Sequence, residues 1–331
     1  MIPALALLGY AACVACAAPA LLAPLTRRGA SVRAGLAAWL AAMASVIGSA
    51  AVAIGLSIRT VAADWPQLTQ ALCRSVAGGA CTPEVYRSAL YESGMAALAG
   101  VASLLATAAL WRYARRVHRS RQQTRAHADV ARMVGRALTA APGPVTRGTG
   151  RRAETVVLDD PRPAAYCVAG RPAAIVVTSG ALNVLDRPQL GAVLAHERAH
   201  LAHGHHALAT LTQGLAVAFP GVPLFSRGAA EVGRLAEMAA DDAASRTSGR
   251  PALVAALLAI ATGTAVPTEG ITGQPALPRG ALAAAAHAVP ARVERLLRPT
   301  SPATSAACTA ALAVALALLA AAPLVLTALT P

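Results

Sequence analysis

Apolar and polar positions fall into long blocks along the 331 residues of the chain. Three apolar runs fill the first third, about Ile2 to Leu25, Ala34 to Ile58 and Gly94 to Leu110. Crossing a bilayer takes about 20 residues of helix, so each reads as a transmembrane span. A fourth run closes the sequence, where nothing after Arg298 is charged and Ala306 to Thr327 is almost wholly Ala, Leu and Val. The pattern predicts four transmembrane helices: three within residues 1–111, joined by short loops and a longer loop at 59–93, and one within 301–331. Residues 112–300 form a polar insert between them.

Inside the insert the periodicity changes several times. Thr124 to Leu138 reads as a helix, and the linker "TAAPGPVTRGTGRR" breaks it. Three short β-rich runs follow, "ETVVLD", "AAYCVAG" and "AAIVVTSG", with Pro- or Gly-bearing turns between them. From Arg187 onward helical spacing dominates, so the insert is α+β, sheet first and helices later. Ala207 to Phe225 is apolar but interrupted by Gly214, Pro220, Gly221 and Pro223, which suits a helix at the membrane edge better than a fifth span. "TGTAVPTEGITGQPALPRG" reads as a long loop.

Composition agrees with this layout. Hydrophobic residues make up 56% of the chain and charged ones 13%, which is too apolar for an ordinary soluble domain. Every basic residue is an arginine, and the net charge of +14 favours anionic headgroups or acidic partners. With ten aromatics and no stretch where they alternate with basic residues, direct nucleic-acid binding is not expected.

Arginine placement sets the expected orientation, because cytoplasmic loops near spans are enriched in it. Arg27, Arg28 and Arg33 lie between the first two spans, and residues 112–152 hold eleven arginines against the single acid Asp129. Both loops are cytoplasmic only if the N- and C-termini are extracytoplasmic, giving a multi-pass protein of the cell membrane with the insert inside. The first span lacks a basic residue before its apolar run and reads as a retained anchor, not a cleaved signal. Cys73 and Cys81 then fall in the extracytoplasmic loop 59–93, where a disulfide between them is expected. Cys13 and Cys16 lie inside the first span without partner ligands and are read as small residues filling a helix interface.

The chemistry concentrates in "AVLAHERAHLAHGHH", Ala192 to His206, which holds five of the eight histidines. His196, Glu197 and His200 form HExxH: on a helix the two imidazoles share one face and can aim at one Zn²⁺, while Glu197 reaches water beside it. Asp186, Pro188 and Gln189 supply an N-cap, a first-turn proline and a capping-box partner for that helix. A zinc enzyme needs a third ligand. His206 stands at the ten-residue offset of HExxHxxGxxH, but position 203 is His203 where that pattern needs the turning glycine. The alternative lies in "AEVGRLAEMAADDAASR", where Glu237 and Asp241 are four apart on one helix face. Glu237 is the preferred ligand, with Glu231 and Asp242 as weaker candidates. His203, His205 and His206 are read as polar residues at a helix exit.

HExxH followed by "RLAEMAADDAA" resembles the Glu-x-x-Ala-Asp arrangement of gluzincin membrane peptidases. "AAYCVAGRPAAIVVTSGAL" ahead of "LAHERAHLAHGHH" resembles the BlaR/MecR-type antirepressor metallopeptidases of actinobacterial character. The resemblance implies a cytoplasmic gluzincin-type zinc metallopeptidase with one Zn²⁺ per chain held by His196, His200 and Glu237. It implies Glu197 as acid/base and Asp241 as the carboxylate supporting the ligands. It also implies a cytoplasmic protein substrate such as a BlaI/MecI-like transcriptional repressor, and a role for "AAIVVTSG" in pairing with substrate, although an apolar strand of this kind reads from its residues as core. The antibiotic-sensing members carry a penicillin-binding domain after the last span; this sequence ends at Pro331, so β-lactam sensing is not expected. Two alternatives stay open, an HtpX-like quality-control peptidase and a non-catalytic metal-binding receptor or scaffold. A homodimer also stays open.

Overall fold

A computed structural model describes residues 2–27, 31–76, 83–137, 154–168, 173–266, 288–298 and 300–329. Long helices α1 (Ile2–Thr26), α2 (Val32–Val76) and α3 (Pro83–Val134) come first. A small sheet follows, β1 (Arg136–Ala137), β2 (Glu154–Leu158), β3 (Ala165–Val168) and β4 (Ala174–Thr178). The remaining helices are α4 (Ser179–Val184), α5 (Arg187–Ala202), α6 (His205–Ala218), α7 (Pro223–Ser248), α8 (Arg250–Thr262), α9 (Ala288–Leu297) and α10 (Pro302–Leu329).

Among the described residues three helical stretches are long and apolar enough to cross a membrane: Ile2–Thr26, Val32–Ala63 and Pro302–Ala328. Apolar helices at both termini support a membrane protein. The run at 94–110 lies inside α3, where Leu98, Val101, Leu104, Leu105, Leu110 and Trp111 are all exposed. The helix expected at 124–138 is not separate from it, because no proline or glycine stands between Val101 and Val134 and arginine is a good helix former. Gly135 ends the helix, and Arg136 and Ala137 turn into β1 instead of continuing to Leu138, which lies outside the described residues. The side chains of Cys73 and Cys81 also lie outside them. Cys13 and Cys16 do not fill an interface: α1 buries Ala4, Leu7, Ala11, Ala15, Ala18 and Leu22 at helical spacing, and both cysteines fall off that stripe and are exposed.

In the sheet the order is β1-β2-β4-β3, with β4 parallel to β2 and antiparallel to β3. All five residues of β4 are buried and both of its edges are taken. "AAIVVTSG" therefore cannot receive substrate as an added strand; it is core. The strand with an open edge on the helical side of the sheet is β3.

α7 is the central helix, packing on α5, α6, α8 and α9 and also on α1 and α2. Leu224 and Phe225 at its start join Trp39 and Met43 of α2 and Leu312 of α10 in one apolar cluster. The apolar stretch 207–225 is thus α6, a turn and the first residues of α7, a hairpin packed against α2 and α3, and it is not among the helices long and apolar enough to cross a membrane. Two glycines allow the hairpin to fit: a Cβ on Gly214 would meet the Tyr113 ring at 2.7 Å, and one on Gly228 would reach Met43 and Trp39.

The first turn of α4 has no room for a side chain at Gly180 either. A Cβ on Gly180 would strike the Pro161 carbonyl, which is backbone and cannot swing away. Gly180→Ala is expected to cost about 1–3 kcal/mol, whereas Gly191→Ala, with nothing within 4 Å of its Cβ, is expected to hold or raise stability by up to about 1 kcal/mol. Thermal unfolding of the two full-length variants against the parent protein measures both.

Candidate metal centre

α5 starts where its local sequence dictates. The Asp186 carboxylate accepts from the Gln189 amide at 2.8 Å, and the Gln189 side chain accepts from the Asp186 amide at 3.3 Å, a reciprocal capping box. Helical phase then puts His196 and His200 one turn apart on the face turned to α7. α7 presents Glu237 and Asp241 to that face, also one turn apart.

The donor atoms meet in a small triangle. His196 Nε2 and His200 Nε2 are 3.0 Å apart, and the two Glu237 carboxylate oxygens lie 3.4 Å from His196 Nε2 and 3.4 Å from His200 Nε2. Ligands 2.0–2.1 Å from a tetrahedral zinc ion stand about 3.3 Å from one another, so the triangle has the size that ion requires. The other weighed carboxylates are engaged elsewhere, Glu231 with Arg234 at 2.6 Å and Asp242 with Arg295 at 2.8 Å.

Asp241 is fully buried behind the triangle, with His196 Nδ1 at 3.1 Å. It accepts two hydrogen bonds from Arg292 of α9, from Nε at 2.8 Å and from Nη2 at 2.6 Å. Nη1 of the same guanidinium lies 3.1 Å from Glu237. Arg292 was not among the expected site residues.

The charges explain why these groups stay ionised. Burial opposes the Asp241 anion, but its hydrogen bonds to Arg292 and His196 outweigh that and hold its pKa at about 2. Burial likewise opposes charge on His196, and the hydrogen bonds to Asp241 and Glu237 prevail, lifting it to about 9. Glu237 is lowered against burial by His196, Arg292 and His200. His200, with burial dominant, is pushed down to about 4 and is neutral at pH 7. Two carboxylates thus draw positive charge into the site; the Arg292 guanidinium supplies part of it, and a divalent cation held by deprotonated imidazoles at the triangle would satisfy the same demand.

Glu197 faces a cavity of about 580 Å³ that the triangle also lines. Burial raises its pKa, and its carboxylate hydrogen-bonds the thiol of Cys167 on β3. The Cys167 thiol is raised by burial and then by the Glu197 charge, and lies 3.1 Å from His206 Nε2. The chain turns at Gly204, left-handed at φ 65°, one residue later than HExxHxxGxxH requires. That turn sends His206 to Cys167 and away from the triangle. His205, expected to be a bystander, is buried, with Nδ1 3.0 Å from His200 Nδ1. A hydrogen bond there leaves His200 Nε2 free to face the triangle. His203 is exposed, with Nδ1 near the Ala199 carbonyl at 2.9 Å.

Residues 120–263 match the family model described as Peptidase family M48. The matched segment runs from the polar part of α3 through the sheet to α8 and contains His196, Glu197, His200, Glu237 and Asp241, but stops short of Arg292. It supports a membrane-type gluzincin metallopeptidase, a class that is typically zinc-dependent, and gives no support to BlaR/MecR-type specificity. The cluster of His196, His200 and Glu237 is compatible with metal binding. No solved structure gives a significant match to the chain.

His196→Ala and Glu237→Ala are expected to lose stoichiometric zinc, measured by elemental analysis of the purified full chain; unchanged metal in Glu237→Ala rules that ligand out. Arg292→Ala strands the Asp241 carboxylate. Breaking a buried pair from one side costs about 3–5 kcal/mol, so this variant is expected to unfold at markedly lower temperature.

Proposed function

We propose that the protein is a membrane-anchored zinc endopeptidase, with one Zn²⁺ per chain held by His196, His200 and Glu237. The observation that carries this reading is the 3.0–3.4 Å triangle of two imidazoles and a carboxylate, with the half-buried Glu197 beside it in the same cavity. The ion supplies a charge that acidifies water and polarises the scissile carbonyl. Glu197 takes the proton of the attacking water and delivers it to the leaving amine, a task its raised pKa suits. The edge of β3, with Ala165, Tyr166 and Cys167 on the cavity wall, holds the substrate backbone as an added strand. Asp241 fixes His196 through Nδ1, and Arg292 fixes Asp241.

With 94–110 counted as a fourth span, the arginine-rich loops support a reading in which residues 112–300 are cytoplasmic and both termini outside. The substrate that the BlaR/MecR likeness implies is a cytoplasmic repressor of the BlaI/MecI type. The site itself favours a broader second reading. Arg234 binds the end of α1, and Glu237 lies three residues farther along α7, about 4.5 Å of helix. A site so close to the end of a span is within reach of other membrane proteins, as in HtpX-type quality control.

Glu197→Gln keeps the ligands and removes the base. It is expected to bind zinc as the parent does and to lose at least about 100-fold in cleavage rate; a fully active Glu197→Gln excludes peptidase chemistry and leaves a metal-binding receptor or scaffold. Comparing cytoplasmic and membrane proteomes of cells with the parent or Glu197→Gln protein then separates the substrates: one processed soluble protein supports the repressor, many processed membrane proteins the broader reading.

A further inference from the structure

One turn before Glu237, α7 is fastened to the ends of the first two helices. Arg234 donates from Nη2 to the Thr26 carbonyl and from Nη1 to the Arg27 carbonyl, both at 2.9 Å. These are terminal carbonyls of α1, which have no partner within their own helix, and a cation there also complements the helix dipole. The same guanidinium holds Glu231 at 2.6 Å, and Glu231 Oε2 lies 3.4 Å from the Thr26 hydroxyl, which is nearer the Leu22 carbonyl at 3.1 Å. Trp39 of α2 donates to that hydroxyl at 3.5 Å. Thr26 and Trp39 are buried and Arg234 and Glu231 half-buried, so the junction lies at the margin of the interior, with its ion pair seated on buried groups.

The apolar packing beneath it has no slack. A Cβ on Gly35 would lie 2.9 Å from the Thr26 methyl and 3.3 Å from Leu235, so α1, α2 and α7 touch at a single point. Leu235 is two residues from Glu237, and α7 has no proline after its first residue. A displacement of α1 and α2 therefore reaches Glu237 through about one turn of unbroken helix.

We propose that Arg234 is a positioning residue, fixing α7 against the ends of α1 and α2 so that the Glu237 carboxylate meets the two imidazoles of α5. The proposal rests on Glu237 as a metal ligand, and it makes the arrangement of the membrane helices a determinant of metal affinity.

The test uses the full chain in detergent micelles, with zinc affinity from chelator competition and the visible spectrum of the cobalt-substituted protein. Arg234→Gln is expected to weaken zinc about tenfold and to shift the cobalt bands. Arg234→Lys, which can still reach a carbonyl, is expected to restore most of both. Gly35→Ala, which presses on Thr26 and Leu235 from α2, is expected to weaken zinc in the same direction, and the double variant Arg234→Gln with Gly35→Ala to lose less than the sum. Parent-like zinc affinity and cobalt spectrum in a folded Arg234→Gln overturn the proposal, as do additive losses in the double variant. If Arg234→Gln does not fold, Gly35→Ala decides: parent-like affinity overturns the proposal, weakened affinity with shifted cobalt bands upholds it. None of these readings needs cleavage, so an inactive protein with coupled zinc binding refutes the peptidase and not the latch.

Discussion

An ionised carboxylate cannot stay in a protein interior without partners, and Asp241 is fully buried. The rest of the site follows from meeting that requirement. Its two oxygens take both prongs of Arg292 and a ring nitrogen of His196. In doing so they tie α7 to α9, 51 residues away, and to α5. The bond to His196 Nδ1 also fixes which nitrogen points inward, because a ring held at Nδ1 turns Nε2 toward His200 and Glu237. One buried charge thus orients an imidazole, anchors a short helix and selects the face of α5 that meets α7.

α7 has two tasks along its length. Its first turns carry Leu224, Phe225 and Gly228 into the bundle against Trp39 and Met43, and later turns carry Glu237 and Asp241 to α5. A helix is stiff over this distance, so packing in the buried apolar cluster and geometry in the polar cluster are not independent. This explains why small residues recur where α6 and α7 meet the long helices. At Gly35, Gly214 and Gly228 a side chain would push one helix off another, and the shift would be felt at the carboxylates.

Much of the local structure was legible because local rules govern it. The cap at Asp186, the three strand runs and the HExxH phase depend on residues within one or two turns, and each lies where its residues predict. Glu237 was reachable because Asp241 follows it by one helical turn. What failed depends on distant pairing. The apolar "AAIVVTSG" reads as core and is core; what fails is the substrate-pairing role implied by the resemblance, because the sheet order makes β3 and not β4 the edge. Arg292 sits in "ARVERLL", whose only local signal is a pair of arginines three apart; they meet Asp241 and Asp242, two adjacent acids. That matching of spacing was a usable clue. His205 was dismissed because helix-exit histidines are usually solvated, but the left-handed Gly204 folds it back onto His200.

Three acidic side chains share this small volume, and their surroundings divide them. Asp241 and Glu237 are each held anionic by imidazole and guanidinium partners, despite burial. For Glu197 burial dominates over the opposing charge of His196, and its bonded neighbour is a thiol that is itself raised. A carboxylate kept low is a poor proton acceptor and a good electrostatic anchor, while one pushed up toward neutrality exchanges protons readily. These environments agree with the proposed division of labour, Glu197 for proton transfer, Glu237 for holding a cation and Asp241 for orienting His196. The HExxH pattern and the raised pKa of Glu197 point the same way in that proposal.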